Sequence, residues 1–254
     1  MEALSLDIIL LLSVIAVLAG FIDAIAGGGG LITVPALLWA GVPPLNALAT
    51  NKLQGCFGSG TASYRFWNKG HINLSELLWP VALTFIGAAL GTWTVQHIHN
   101  DWLNQIIPIL LIGVALYFAL SPSLKDLDGH QRISIGAFGL SGGLIIGFYD
   151  GFLGPGTGSF FFAAIVLLLG WGAKRATGAT KLLNFTSNIA SLTFFAAGGQ
   201  VFWVLGLAMG TGQIIGAWLG SQLAIKHGAI LIKPLVVVIS IALSIKLLIE
   251  SLGN

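Results

Sequence analysis

Apolar residues fall along this chain in ten long blocks. They are Leu4–Ala26, Leu31–Gly41, Leu45–Trp67, Ile72–Ile98, Trp102–Leu120, Ile133–Leu153, Ser159–Trp171, Ala176–Ala197, Val201–Ile225 and Ala229–Leu252. Breakers or charges separate them: Gly27–Gly30, Pro43-Pro44, Asn68–Gly70, His97–Asp101, Ser121–Arg132, Gly154–Gly158, Gly172–Arg175, Gly198–Gln200 and Lys226–Gly228. A bilayer crossing takes about 20 apolar residues. The pattern therefore predicts a bundle of membrane helices, with the second and seventh blocks too short to span unaided. Leu4–Ala26 lacks the basic start and small-residue cleavage site of a signal peptide and reads as a crossing.

The blocks repeat. Gly-Phe-Ile-Asp at Gly20–Asp23 answers Gly-Phe-Tyr-Asp at Gly147–Asp150, and each is followed by a glycine break. Ala49-Thr50-Asn51-Lys52-Leu53 answers Gly178-Ala179-Thr180-Lys181-Leu182, and Gly87–Thr92 answers Gly216–Ser221. The aspartates are 127 residues apart and the later matches 129 apart, so the second copy carries a two-residue insertion. Repeat 1 is 4–120, the linker 121–132 and repeat 2 133–252, all in one membrane domain, 1–254. Such duplication is characteristic of transporters.

Basic residues then orient the copies. Arg65 and Lys69 follow the third block, but Gly198–Gln200, the matching joint of repeat 2, has no Lys or Arg. Lys174 and Arg175 precede the eighth block, but Pro43-Pro44 has none. Positive charge marks the cytoplasmic side. The reading is an all-α polytopic membrane protein: about ten transmembrane segments as two inverted five-segment repeats with glycine-broken helices. Eight crossings plus two re-entrant segments is the alternative.

Composition agrees. The 254 residues are 56% hydrophobic and 8% charged, with mean hydropathy +0.93. A soluble domain is about 25% charged. Net charge is only +2, with no basic stripe for nucleic acid. The lone Cys56 excludes an internal disulfide.

Charges inside blocks are costly and point to a site. Asp23, Lys52, Asp150 and Lys181 are such charges, in matched pairs. One reading is that they only lock helices together. The other is a site for a small oxyanion, with Asn51, Lys52, Gln54, Lys181, Asn184, Ser187 and Asn188 binding the substrate. Ammonium neutralises its charge, and amide and hydroxyl donors replace its water. Asp23 and Asp150 would gate or couple. Backbone N–H groups at Gly28, Gly29, Gly30, Gly156 and Gly158 would add an anion site where Leu31 and Ser159 begin half-helices. Depth counting at 1.5 Å per residue pairs Asp23 with Lys181 and Asp150 with Lys52, each across the repeats, toward opposite sides of the membrane. No metalloprotease, nucleophile-elbow, dinucleotide or P-loop motif occurs, and His97 and His99 lack further metal ligands. No enzyme activity, cofactor or metal is expected.

GFIDAIAGGGGLITVPALL, ALATNKLQG, GFYDGFLGPGTGSF and ATKLLNFTSNI resemble the TauE/SafE, or sulfite exporter, family of bacterial anion permeases. The resemblance runs from about Leu6 to Leu248. It implies a multi-pass inner-membrane carrier whose partners are the lipid bilayer and a small anion, often sulfur-containing, such as sulfite or a sulfonate. The oligomeric state stays open, a homo-oligomer included. Gly-Pro-Gly-Thr-Gly replaces the four glycines in repeat 2, and Thr180 replaces the Asn before the lysine, so the halves are not equal. A channel, or a membrane enzyme or assembly scaffold, is the competing reading.

Overall fold

A computed structural model of the chain describes residues 5–120 and 129–227, and among these every regular element is helical. The first half holds α1 (Leu6–Ala26), α2 (Gly30–Trp39), α3 (Pro44–Asn68), α4 (Leu74–Val95) and α5 (Asn100–Leu120). The second holds α6 (Ile135–Phe138), α7 (Leu144–Phe152), α8 (Thr157–Ala164), α9 (Ala173–Ala197) and α10 (Trp203–His227). Wide π-helical turns at Gly139–Gly143 and Ile165–Leu169 join α6 to α7 and extend α8. The block Ala229–Leu252 and most of the linker lie outside the described residues.

Local chemistry sets the ends. Gly27 stops α1 by taking φ +79°, and its N–H caps the Asp23 carbonyl at 2.9 Å. Pro44 opens α3, where its missing N–H leaves no helical bond unmade. The left-handed glycines recur in matched pairs, Gly27 with Gly154, Gly41 with Gly170 and Gly70 with Gly199; Gly156 is the unmatched one, and it falls in the insertion. The two halves thus turn the chain in the same way at the same places.

Each half packs against the other. α1 lies on α10, α4 lies on α7, and α3 crosses α9. Gly216 and Gly220 sit against the carbonyls of Val17 and Phe21, while Gly87 and Gly91 sit against those of Leu144 and Phe148. The same contact is therefore made twice, by residues related through the repeat. Small residues four apart let the backbones touch, as membrane helices require.

The contacts also give directions. Ser13, Val17 and Phe21 meet Gly212, Gly216 and Gly220 in rising order, so α1 and α10 run parallel. Leu53 and Phe57 meet Gly206 and Gly210, so α3 runs parallel to both. Gly55 meets Asn188 while Gly60 meets Phe185, so α3 and α9 run in opposite directions. Since α1 and α3 point the same way, α2 between them carries the chain back toward the end where α1 began.

One end of the bundle is basic. Gly129 and Arg132 donate backbone bonds to Gly170 and Leu168, at 2.7 and 2.9 Å, which brings Arg132 beside the start of α9. There Arg175 binds Glu76 at 2.5 Å and stacks on Trp171. His71 packs on Gly178, so Arg65 and Lys69 share this end, with Arg65 stacked on Trp218. At the other end Asn46 donates to the Gln200 carbonyl and the Gln96 side chain covers Gly198, with no Lys or Arg among the described residues there.

Among the described residues, four helical stretches are long and apolar enough to cross a membrane: Leu6–Ala26, Leu74–Val95, Ile135–Phe152 and Trp203–Lys226. Their outer faces are greasy, as in Leu10, Val14 and Leu18 of α1, more than half exposed. A bilayer, and not water, suits such a surface. The polar α3 and α9 are wrapped by the others. Most tryptophans lie exposed near helix ends, as expected of an interfacial belt, but Trp171 is 6% exposed and buried under Arg175.

Candidate functional site

The helix breaks meet at the middle of the bundle. Gly27 and Gly158 touch backbone to backbone, and a Cβ on either would lie 2.6 Å from the other's main chain. Ser159 ties them, donating to the Ala26 carbonyl at 3.0 Å. α2 and α8 start just beyond, at Gly30 and Thr157, slightly earlier than the expected Leu31 and Ser159.

Both ion pairs form across the repeats, as depth counting expects. Lys52 Nζ donates to Asp150 Oδ1 at 2.7 Å, with the two side chains 1% and 2% exposed. Lys181 Nζ donates to Asp23 Oδ2 at 3.2 Å and also to the Asp23 backbone carbonyl. The counted depths differ from the structure in one respect. Asp23 and Asp150 line one shared cavity and do not stand at opposite ends. The counting treats each helix as straight and upright, and the glycine breaks draw both carboxylates inward.

The pairs are not equivalent. Asp150 also accepts from Thr157 Oγ1 at 2.9 Å and from the Ser187 hydroxyl. Among the described residues, the Asp23 carboxylate accepts only one further bond, from the Gly29 N–H at 3.2 Å, and its side chain is 16% exposed.

The cavity measures about 40 Å³. A water needs roughly 10–15 Å³ on this measure, so there is room for about three waters or one small ion. Among the described residues, its wall holds no apolar side chain. Of the expected anion ligands, Asn51, Asn184 and Asn188 line it, with Gly29, Gly30, Gly156 and Gly158; Gly28 does not. Lys52, Gln54, Lys181 and Ser187 stand one layer back, holding the groups that face the cavity. Thr33, Ser59, Gln213, Gly55 and Thr157 line it unforeseen. Gln213 was open to notice, as an amide in the middle of the ninth block.

A chain of bonds joins the wall. Thr33 Oγ1 donates to Asn51 Oδ1 at 2.6 Å, Gln54 Nε2 to the same oxygen at 3.0 Å, and Gln213 Nε2 to Gln54 Oε1 at 3.2 Å. Asn188 Nδ2 donates to Ser59 Oγ at 3.3 Å, a bond between positions 129 apart, so the repeat's own partners meet here. No group of three or more potential metal ligands occurs among the described residues.

Comparison with known proteins follows the same lines. The family described as "Sulfite exporter TauE/SafE" matches residues 12–247. The chain is 50% identical over 248 residues to a Sinorhizobium protein named "Probable membrane transporter protein ORF9", covering 98% of this chain and 95% of that one. It is 48% identical over 240 residues to the Escherichia coli K12 "Probable membrane transporter protein YfcA", covering 94% and 89%. A Haemophilus influenzae "Probable membrane transporter protein" is 44% identical over 244 residues, 96% of each chain. No solved structure matches.

Proposed function

The chain belongs to the sulfite exporter TauE/SafE family, whose relatives here are named membrane transporters, and from this premise we propose that it carries a small oxyanion, sulfite or a sulfonate, across the bacterial inner membrane by alternating access. The observation that carries the reading is the cavity: polar, walled in part by the carboxylates of two cross-repeat ion pairs, and set where two broken helices meet inside an apolar bundle. Its small volume favours an inorganic anion such as sulfite over a sulfonate with a carbon tail. Amides of Asn51, Asn184 and Asn188 replace the anion's water, and a lysine released from its carboxylate neutralises it. With no nucleotide-binding motif in the sequence, the driving force is a gradient or a partner.

Reconstituted protein is expected to take up radiolabelled sulfite with saturation. Flux that never saturates would make it a channel, and no flux a scaffold. Lys181→Gln should lower uptake by about 10–100-fold, the worth of a hydrogen bond to a charged group, with the protein still in the membrane. Unchanged uptake would remove Lys181 from the site.

The same reading takes the repeats as inverted, with ten crossings. The opposed α3 and α9 support inversion, and the parallel α1 and α3 argue against re-entrant second and seventh blocks, which would make them antiparallel. The basic end then faces the cytoplasm. Single cysteines at Lys69, Lys174 and Lys226 should be labelled from inside, and those at His99 and Gly199 from outside, on a Cys56→Ala background. Labelling of positions 69 and 174 from opposite sides would overturn it.

A further inference from the structure

An anion in this cavity would meet carboxylates first. Asp23 and Asp150 line the wall, while Lys52 and Lys181 stand behind them. Something must cancel a carboxylate charge before the anion can enter, and the two carboxylates differ in how firmly they are held.

Asp150 is gripped by Lys52, Thr157 and Ser187. The counterparts of those hydroxyls in the first repeat carry no side chain. Ser187 answers to Gly58, and Thr157 to Gly28 or Gly30 on the two repeat offsets. Asp23 therefore has a long 3.2 Å contact to Lys181, a 3.2 Å bond from Gly29, and partial exposure to the cavity. Lys181 has a second anchor, the Asp23 backbone carbonyl, which no change at the carboxylate removes.

We propose that the Asp23–Lys181 pair is the one that opens: a proton taken up on Asp23 Oδ2 breaks its bond to Lys181 Nζ, and the freed ammonium receives the anion, while Lys52–Asp150 stays shut. On release of the anion the proton leaves Asp23, and Lys181 Nζ donates to the carboxylate again. The site is neutral throughout. Empty, it holds one ammonium and one carboxylate; loaded with a monoanion, it holds the ammonium, the anion and a neutral acid. A net charge in this interior would be costly. The stoichiometry that follows is one proton carried with each monoanion, hydrogensulfite where the anion is sulfite.

The groups facing Asp23 allow this. From α9 comes Lys181; from α7, across the cavity, Asp150; from α3, Lys52, committed to Asp150. α2 offers the Gly29 N–H, while α10 and α8 bring to the cavity only the uncharged Gln213, Thr157 and Gly158.

This inference rests on the transporter reading, but its first test does not need a substrate. Infrared difference spectra of the whole protein in lipid, recorded on acidification, should show a protonated carboxyl band. Asp23→Asn should lose it, and Asp23→Glu should keep it at a shifted frequency. Asn leaves the backbone anchor of Lys181 in place, so this variant should fold. A band undiminished in Asp23→Asn overturns the proposal. In liposomes, an inward gradient of one pH unit should drive about tenfold sulfite accumulation at one proton per anion. Asp23→Asn should accumulate none. Accumulation at the wild-type level by Asp23→Asn overturns the coupling. A wild type that moves no sulfite, with the Asp23 band present, overturns the sulfite reading and leaves Asp23 as the proton site.

Discussion

Asp150→Ala is expected to give little folded protein, and Lys52→Met/Asp150→Leu to restore it. Among the described residues, Asp150 is the one hydrogen-bond acceptor of the Lys52 ammonium, which is 1% exposed. Removing it strands a buried charge, and breaking such a pair costs about 3–5 kcal/mol. Whole-protein stability is only about 5–15 kcal/mol. Lys52→Met alone should be milder, because Asp150 keeps the Thr157 and Ser187 hydroxyls. Replacing both charges by apolar groups of similar size is often neutral or stabilising by about 1–4 kcal/mol. The yield of monodisperse protein and its melting temperature in detergent measure all three. If Lys52–Asp150 stays shut in transport, the double variant recovers sulfite exchange as well. A single Asp150→Ala as stable as the parent would sink the argument.

That experiment bears on how much of the site was legible beforehand. The pairing of Asp23 with Lys181 and of Asp150 with Lys52 could be reached by counting, because helical rise is constant and inversion exchanges the ends of matched segments. Helix boundaries followed the apolar blocks to within three residues, since glycine and proline mark where a helix stops. The close contacts of Gly87, Gly91, Gly216 and Gly220 were legible in their spacing. What spacing hides is the order of layers. Lys181, Asn184 and Asn188 share a helix face, yet Lys181 reaches behind Asp23 while the asparagines line the cavity. Side-chain reach and the neighbouring helix decide that, and neither is written in one segment. Thr33 was missed for a similar reason: one hydroxyl in an apolar block has no periodicity to reveal its partner, Asn51.

The crossing of the two breaks yields the second large effect, which separates two costs that glycine avoids. Gly27 has φ +79° and lies against Gly158; Gly41 has the same φ with nothing within 4 Å; Gly158 has the contact without a left-handed φ. Gly41→Ala should therefore lose only the backbone term, about 1–2 kcal/mol. Gly158→Ala should lose only the packing term, about 1–3 kcal/mol, because a Cβ there meets the Gly27 main chain, which cannot rotate aside. Gly27→Ala should carry both, about 2–5 kcal/mol. Melting temperatures of the three variants in detergent read the comparison directly. In transport the order should be the same, for Gly27 and Gly158 join the ends of α1 and α8, and any wedge there shifts Asp23 and Thr157 together. Gly27→Ala no worse than Gly41→Ala would mean that the two breaks do not bear on each other.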